Sequence, residues 1–189
     1  MARRDTKIGE GREDRVDLVI EEWRKRRPDL DFSPLEIVTR VLRAAHYLQA
    51  SLDGIAAAYG LSHTGDLEVL TNLDRAGPPF ERTPSELADL QLVTAGGMTV
   101  RLNRLQRVGL IERRPNPRDG RGVLVRLTPL GRRLADDALT TLIDTQASDI
   151  GGVDTSDRDV LAGLLRDLLI ALGDAPAFRP EVRLDREGN

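Results

Sequence analysis

The sequence predicts a mainly α-helical protein of the α+β class, and three observations lead to this prediction. Apolar residues recur at helical spacing through most of the 189 residues. A pattern that starts helices with proline in the first turn, Ser/Thr-Pro-x-Glu, occurs at residues 33–36 and again at residues 83–86. Residues 110–128 show instead the partial alternation of two strands on either side of a turn.

The first part of the chain predicts three helices. The first covers residues 12–27 and places on one face Val16, Val19, Ile20 and Trp23. A long helix begins with a capping box at residues 33–36 and ends near Gly60. Its predicted inward positions are Leu35, Val38, Leu42, Ala45, Leu48 and Leu52. The third helix covers residues 64–75 and stops before the sequence GPP.

The central part predicts a short helix, a tight turn and a second helix. The short helix follows the capping box at residues 83–86, and the turn lies at residues 92–94. The second helix runs to about Val108, where Gly109 provides a C-terminal stop. Two helices on either side of a tight turn are typical of a helix-turn-helix.

A hairpin and two more helices are predicted after this motif. Strands at residues 110–114 and 123–128 flank a turn rich in proline, glycine and arginine. Helices follow at about residues 129–148 and 156–172. The order of elements, together with the charge described next, predicts a winged helix-turn-helix with a two-stranded β wing, set between long N- and C-terminal helices.

The charge of the chain is distributed unevenly. The formal net charge is −3, but residues 82–133 contain 11 arginines and 4 acids, a net charge of +7. Residues 134–189 contain 5 arginines and 12 acids, a net charge of −7. A basic block inside an acidic protein indicates double-stranded nucleic acid as a partner. A basic face that contacts only solvent would have the same composition, so the prediction also depends on the order of the elements.

The composition excludes several classes of protein. The chain has no cysteine, which excludes a disulfide framework and thiolate metal sites and is typical of a reducing compartment. Its N-terminal segment is polar and lacks the pattern of a signal peptide. No run reaches the roughly eighteen apolar residues that a membrane span needs. We therefore expect a cytoplasmic protein with no membrane partner, metal or cofactor.

The second helix of the motif has two faces on a helical wheel. Met98, Leu102 and Leu105 fall within about 60° of one another and form the predicted buried stripe. The candidate DNA-binding residues, on the opposite face or at the helix start, are Gly96, Gly97, Thr99, Val100, Asn103, Arg104 and Arg107. The glycines allow the helix start to approach a phosphate closely, Asn103 and Arg104 can read base edges, and Arg107 is expected to meet phosphate. A polar face exposed only to solvent is the alternative.

The predicted wing carries two candidate DNA-binding arginines near its tip, Arg118 and Arg121. Arginine in this position can enter the minor groove, where the negative potential is deepest when the groove is narrow. Asp119, two positions before Arg121, can orient its guanidinium by a salt bridge. A surface turn without DNA is the alternative interpretation.

Residues 83–134, TPSELADLQLVTAGGMTVRLNRLQRVGLIERRPNPRDGRGVLVRLTPLGRRL, resemble the MarR family of bacterial transcription regulators. The specific part is the Asp-x-Arg of the wing, Asp119 and Arg121, followed by LTPLG. The spacing of the long helices extends the resemblance to residues 12–172. It implies a homodimer, a palindromic operator, a nucleoid-associated bacterial regulator, and repression relieved by a small ligand. The amphipathic terminal helices independently favour a dimer, because their apolar faces need a partner.

The added N-terminal helix, with the sequence EEWRKRRPDLDFSP, is similar to the urate-responsive branch of that family. This resemblance implies a site for a small anion, urate or a related purine or aromatic anion, on Trp23, Glu68, Arg75 and Arg101. The branch has aspartate where this chain has Glu68. An anion would compete with Glu68 for the arginines, and movement of Arg101 would displace the recognition helix. Helix packing for Trp23, and a structural ion-pair network for the other three, are the alternatives.

The expected organisation has five parts. These are a disordered tail at residues 1–11, dimerisation and ligand-sensing helices at 12–81, the DNA-binding region at 82–129, C-terminal dimerisation helices at 130–173 and a flexible tail at 174–189.

Other functions are distinguished by simple features. An enzyme is not expected, because the two histidines, His46 and His63, lie on separate predicted elements and no catalytic cluster is apparent. Gly96 and Gly97 lack the lysine and the spacing of a phosphate-binding loop. A constitutive DNA-binding regulator without a ligand and a winged-helix protein-interaction module remain alternatives. Salt-dependent binding to duplex DNA, and a rise in melting temperature with purine ligands, separate them.

Overall fold

The computed structural model describes residues 12–117 and 122–174, which form seven helices and three strands. In chain order these are α1 (Arg15–Arg26), α2 (Ser33–Ala58), α3 (Thr64–Asp74), β1 (Glu81–Arg82), α4 (Pro84–Leu90), α5 (Ala95–Arg107), β2 (Ile111–Pro115), β3 (Val123–Leu127), α6 (Pro129–Asp149) and α7 (Thr155–Ala171). The chain divides into two compact units between Gln49 and Ala50, and each is described by itself. The predicted tails, at residues 1–11 and 174–189, lie outside the described residues except for Asp174.

The first unit is held together by a capped helix and an arginine. The Asp14 carboxylate accepts from the backbone N–H groups of Val16 and Asp17, and the Asp17 carboxylate accepts from the N–H of Asp14 at 2.8 Å. Arg40 of α2 reaches both carboxylates, at 2.9 Å from Asp14 and 2.5 Å from Asp17. Val16 and Ile20 are also buried, so the start of α1 is anchored by both charge and apolar packing.

The capping box predicted at the start of α2 does not form. Ser33 instead donates from its hydroxyl and its backbone N–H to the Asp31 carboxylate, each at 2.9 Å. The backbone N–H of Glu36 donates to the Phe32 carbonyl at 3.0 Å, and the Glu36 carboxylate pairs with Arg24 at 2.5 Å. Both members of the predicted box have therefore taken charged partners, which make stronger hydrogen bonds than neutral groups do.

The predicted inward face of α2 is largely exposed in the single chain. The exposed fractions are 39% for Leu35, 52% for Val38, 65% for Leu42 and 39% for Leu48. Only the last turns of the helix are buried, at Ile55 and Ala56. The prediction was therefore wrong for the single chain. Apolar side chains are buried only where another surface packs against them, and no described segment covers these four.

The core of the second unit joins α3, α4, α5 and the sheet. Its fully buried side chains include Leu67, Leu70, Leu73, Leu87, Met98, Leu102, Leu105 and Val125. Gly131 brings α6 directly against this core, because a Cβ at this position would collide with the carbonyl oxygen of Leu110. The Tyr59 hydroxyl donates to the Asp137 carbonyl at 3.0 Å and so ties the end of α2 to α6.

The sheet has three antiparallel strands in the order β1-β3-β2, whereas the sequence predicted two. Ile111 pairs with Leu127 and Pro115 with Val123 in the predicted hairpin. The additional strand pairs Glu81 with Arg126. Two residues are too few to show an alternating pattern, so this strand depends on tertiary placement.

Among the described residues, no helix is long and apolar enough to cross a membrane.

Candidate nucleic-acid interface and the contacts behind it

The helix-turn-helix begins with the capping box that the sequence predicts. The hydroxyl oxygen of Thr83 accepts from the N–H of Glu86 at 3.2 Å, and the Glu86 carboxylate accepts from the N–H of Thr83 at 2.7 Å. The turn contains Leu92 in the left-handed region, at φ 51°, with 81% of the residue exposed. Thr94 then caps α5 by accepting from the N–H of Gly97 at 3.2 Å. Local contacts therefore set where α4 and α5 begin.

Helix α5 has the buried face and the exposed face that the helical wheel predicts. Met98, Leu102 and Leu105 are each 1% exposed, which confirms the buried stripe. Six of the candidate DNA-binding residues are exposed, namely Gly96, Gly97, Thr99, Val100, Asn103 and Arg107. The Thr99 hydroxyl donates to the Ala95 carbonyl at 2.8 Å and keeps its oxygen available as an acceptor. The helix thus presents one continuous polar face.

Arg104 has a different environment from the other candidates. Its guanidinium makes two hydrogen bonds to the Asp66 carboxylate, at 2.7 and 2.6 Å. The side chain of Asp66 is 1% exposed and that of Arg104 is 25% exposed. The hydrogen bonds with Asp66 raise the pKa of Arg104. This geometry holds α5 against α3. It also means that the Arg104 guanidinium, which the sequence predicted to read base edges, is hydrogen-bonded to Asp66.

Sequence reasoning missed Asp66, although one signal was available. An acid in the first turn of a helix is common, because it complements the helix dipole. Asp66, however, lies four residues before Leu70 and seven before Leu73, which are both fully buried. An acid on the apolar face of a helix needs a buried partner, and Arg104 is that partner.

The structure brings Glu68 and Arg101 together. Arg101 Nη1 is 3.7 Å from the Glu68 carboxylate and donates a hydrogen bond to the Gln91 side-chain oxygen. Gly65 makes room for this guanidinium, because a Cβ there would collide with it. Burial raises the pKa of Glu68, and the charge of Arg101 opposes this shift. The Gln91 Nε2 atom is buried and has no hydrogen-bond partner among the residues that the structure describes, so a donor beside this pair is unused.

Arg75 and Trp23 have other contacts. The Arg75 guanidinium is exposed and donates to Asn72 at 2.6 Å, with no ion pair to Glu68. Trp23 belongs to the first unit, where its ring stacks on Phe32 with centroids 6.2 Å apart. It is 46% exposed. The structure therefore joins two of the four predicted ligand residues directly.

The base of the wing is tied to α5 and closed by a backbone bond. Arg113 Nη1 donates to the Gln106 side chain at 2.5 Å, and the N–H of Asn116 donates to the Gly122 carbonyl at 2.8 Å. The predicted wing residues Arg118, Asp119 and Arg121 lie outside the described residues. Over the ranges that the structure does describe, no group of three or more histidines or acids is placed to hold a metal ion.

Comparisons with known proteins agree with this architecture. The sequence model of the MarR family matches residues 59–122, which include α3, the helix-turn-helix and the first wing strand. The HTH-type transcriptional regulator PecS of Dickeya dadantii (strain 3937) is 27% identical over 150 residues, covering 79% of this chain and 90% of PecS. An HTH-type transcriptional regulator of Mycobacterium tuberculosis is 33% identical over 108 residues, covering 57% of this chain and 73% of that protein.

A solved structure extends the likeness to a DNA complex. The crystal structure of a mutant MarR from E. coli complexed with operator DNA has a TM-score of 0.63 and 26% sequence identity, and covers 73% of this chain and 97% of that one. PecS and the Mycobacterium tuberculosis relative are both HTH-type transcriptional regulators.

Proposed function

Because the chain belongs to the MarR family of DNA-binding winged helix-turn-helix transcription regulators, we propose that it is a homodimeric repressor released from a palindromic operator by a small anionic ligand. The observation that carries this proposal is the exposed polar face of α5, which is braced on α3 by Asp66 and Arg104 and lies beside a basic wing. A face held in this way can be moved as a unit.

The proposed DNA contacts divide by chemistry. Asn103 and Thr99 read base edges in the major groove, and Arg107 contacts phosphate. Gly96 and Gly97 let the start of α5 approach the backbone, where its free N–H groups favour a phosphate. Val100 provides an apolar contact of the kind that thymine methyl groups accept.

Outside this face, Arg118 and Arg121 extend the proposed contact into the minor groove. We assign Arg104 to the positioning of α5 through Asp66 rather than to base reading.

The homodimer is supported by α7. Within the part of the single chain that the structure describes, none of the 17 residues of this helix is buried. Its exposed apolar side chains include Val160, Leu161, Leu164, Leu165, Leu169 and Ile170. An apolar face of this size marks an interaction surface, and such a helix gains most of its stability from packing. A second copy would cover it, and two-fold symmetry would place the two α5 helices about 34 Å apart, one turn of DNA.

The proposed ligand site is centred on Arg101. An anion would displace Glu68 from the guanidinium and could accept a hydrogen bond from the unused Gln91 amide. Because Arg101 belongs to α5, the recognition helix, this exchange shifts that helix. A coupling of about 1–3 kcal/mol would lower DNA affinity by several-fold to a hundredfold. Urate, a related purine or an aromatic anion is the proposed effector, with Arg75 as a predicted further member of its site.

The first experiment measures binding of the full chain to its own upstream DNA by fluorescence anisotropy over a range of salt concentrations. We expect tight binding whose affinity falls steeply with salt, and a dimer by light scattering. Arg107→Gln should weaken binding to all sequences alike, whereas Asn103→Ala should relax specificity at one position. Arg15→Gln, which removes an exposed arginine from α1, is the matched charge control. Indifference to duplex DNA at low salt would leave only a protein-interaction module.

The second experiment adds urate and related anions to the DNA complex. Arg101→Ala should weaken release of the DNA, whereas Glu68→Gln should make release easier because it removes the competing carboxylate. The single tryptophan of the sequence, Trp23, reports by its fluorescence whether the ligand binds near it. If no anion changes DNA affinity in the unmodified chain, the protein is a constitutive regulator.

A further inference from the structure

A cavity of about 780 Å³ lies where α6 begins beside the outer face of the sheet. Its walls come from the end of α3, the loop before β1, the strands β2 and β3, and the first turns of α6. All of these belong to the second unit. The volume lies in the range of about 300–1,000 Å³ that small-molecule sites occupy. None of the residues assigned above to DNA or to the anionic ligand lines it.

The sheet side of the cavity contains one paired and one unpaired arginine. Glu112 and Arg126 lie directly opposite each other on β2 and β3, so their side chains share one face of the sheet. Arg114, two residues after Glu112, lies on the same face and pairs with it at 2.6 Å. Arg126 makes no salt bridge with any residue that the structure describes. Its guanidinium is therefore available to an anion.

The helix side of the cavity contains two consecutive arginines, Arg132 and Arg133, and the second makes no salt bridge with a described residue. Arg132 lies over the Phe80 ring, with its guanidinium carbon 4.2 Å from the ring centroid, and this contact orients it. Arg133, the next residue, is exposed and has no salt bridge within residues 12–117 and 122–174. Arg126 and Arg133 thus give the cavity two guanidiniums that make no salt bridge with any described residue.

The same cavity contains two carboxylates that have no cation at salt-bridge distance among the residues that the structure describes. Asp74 ends α3 and Asp136 projects from α6. Burial raises the pKa of Asp74, the charge of Asp136 raises it further, and Arg132 opposes both. Two repelling carboxylates are stabilised by a cation, just as two unpaired guanidiniums are stabilised by an anion.

Charge complementarity decides the class of ligand. A DNA backbone would meet Asp74, Glu112 and Asp136 and be repelled by them. A simple anion would leave the two carboxylates facing each other, and a simple cation would leave Arg126 and Arg133 unpaired. The apolar part of the lining comes from Phe80, Pro129 and the buried Leu127.

We propose that this cavity binds a zwitterionic small molecule that carries an ammonium and a carboxylate on an apolar body. The ammonium lies at Asp74 and Asp136, and the carboxylate lies at Arg126 and Arg133. Guanidinium groups match the carboxylate with paired hydrogen bonds, which fixes the orientation of the ligand.

The test uses isothermal titration calorimetry on the full chain with three probes of the same shape. These are 4-(aminomethyl)benzoate, 4-methylbenzoate, which lacks the ammonium, and 4-methylbenzylamine, which lacks the carboxylate. The zwitterion is expected to bind about tenfold more tightly than either relative, because each charged hydrogen-bonding group contributes at least that much. Equal binding of 4-methylbenzoate, or no heat with the zwitterion at millimolar concentration, would overturn the proposal.

Variants then locate the binding. Asp136→Asn and Arg133→Gln change exposed side chains and should each weaken the zwitterion about tenfold. Asp144→Asn, an exposed acid further along α6, should leave binding unchanged. Arg101→Ala should also leave it unchanged, which separates this cavity from the anion site at Glu68. If binding is lost with Arg101→Ala but kept with Asp136→Asn, the zwitterion binds elsewhere and the proposal fails.

Discussion

Replacing Asp66 with asparagine tests whether the ion pair between Asp66 of α3 and Arg104 of α5 holds the recognition helix α5 in place. The substitution keeps the shape of the side chain but removes the charge that receives two hydrogen bonds from Arg104, at 2.7 and 2.6 Å. We expect Asp66→Asn to destabilise the protein and to lower DNA affinity for all operator sequences by a similar factor, because the whole of α5 loses its support.

The magnitude follows from the burial of the pair. Breaking a buried ion pair by removing one partner costs about 3–5 kcal/mol. The Arg104 side chain keeps 25% of its surface exposed, so solvent partly compensates it, and asparagine retains one acceptor oxygen. We therefore expect a loss of about 2 kcal/mol in the free energy of unfolding. For a chain of this length this corresponds to a decrease of roughly 4–8 °C in Tm.

The assay is urea unfolding followed by circular dichroism, at one fixed protein concentration because a dimer couples stability to concentration. Asp144→Asn removes an exposed carboxylate from α6 and serves as the control. DNA affinity is then measured for both variants. Equal stability of the two variants would refute the reasoning. An unchanged or increased DNA affinity of Asp66→Asn would also refute the reasoning, because it would mean that Arg104, once released from Asp66, contacts a base rather than positions α5.

Three further predictions concern stability. Asp74→Asn should stabilise the protein at neutral pH, because burial and then Asp136 raise the pKa of Asp74 and so make its charged form unfavourable in the folded state. In urea unfolding at several pH values, this gain in the free energy of unfolding should vanish below the ordinary pKa of 3.8, and a gain that persists in acid would contradict the prediction. Gly131→Ala should destabilise by roughly 1–3 kcal/mol despite better helix propensity, because its Cβ meets the Leu110 carbonyl; a higher Tm in a thermal melt would exclude this contact. Thr83→Ala should cost about 1 kcal/mol by removing the cap of α4, measured by urea unfolding against Thr83→Ser, which keeps the hydroxyl and should be nearly neutral.

Short-range patterns explain why much of the helix-turn-helix could be predicted. The capping box between Thr83 and Glu86 spans three residues, and the buried stripe of Met98, Leu102 and Leu105 depends only on helical geometry. The same reasoning failed at Ser33, where the identical pattern was present but Asp31 competed for the hydroxyl. A local pattern therefore holds only where no stronger partner lies near.

The sequence by itself determined the order of the helices and of the wing hairpin, the basic block and the two faces of α5, because these depend on neighbouring residues along the chain. Tertiary structure alone decided the pairing of Asp66 with Arg104, the strand β1 and the cavity beside α6. Each of these depends on distances between segments that are far apart in the chain, and no periodic pattern records such distances. The physical reason is that local geometry repeats along a sequence, whereas the choice of a distant partner is made by packing.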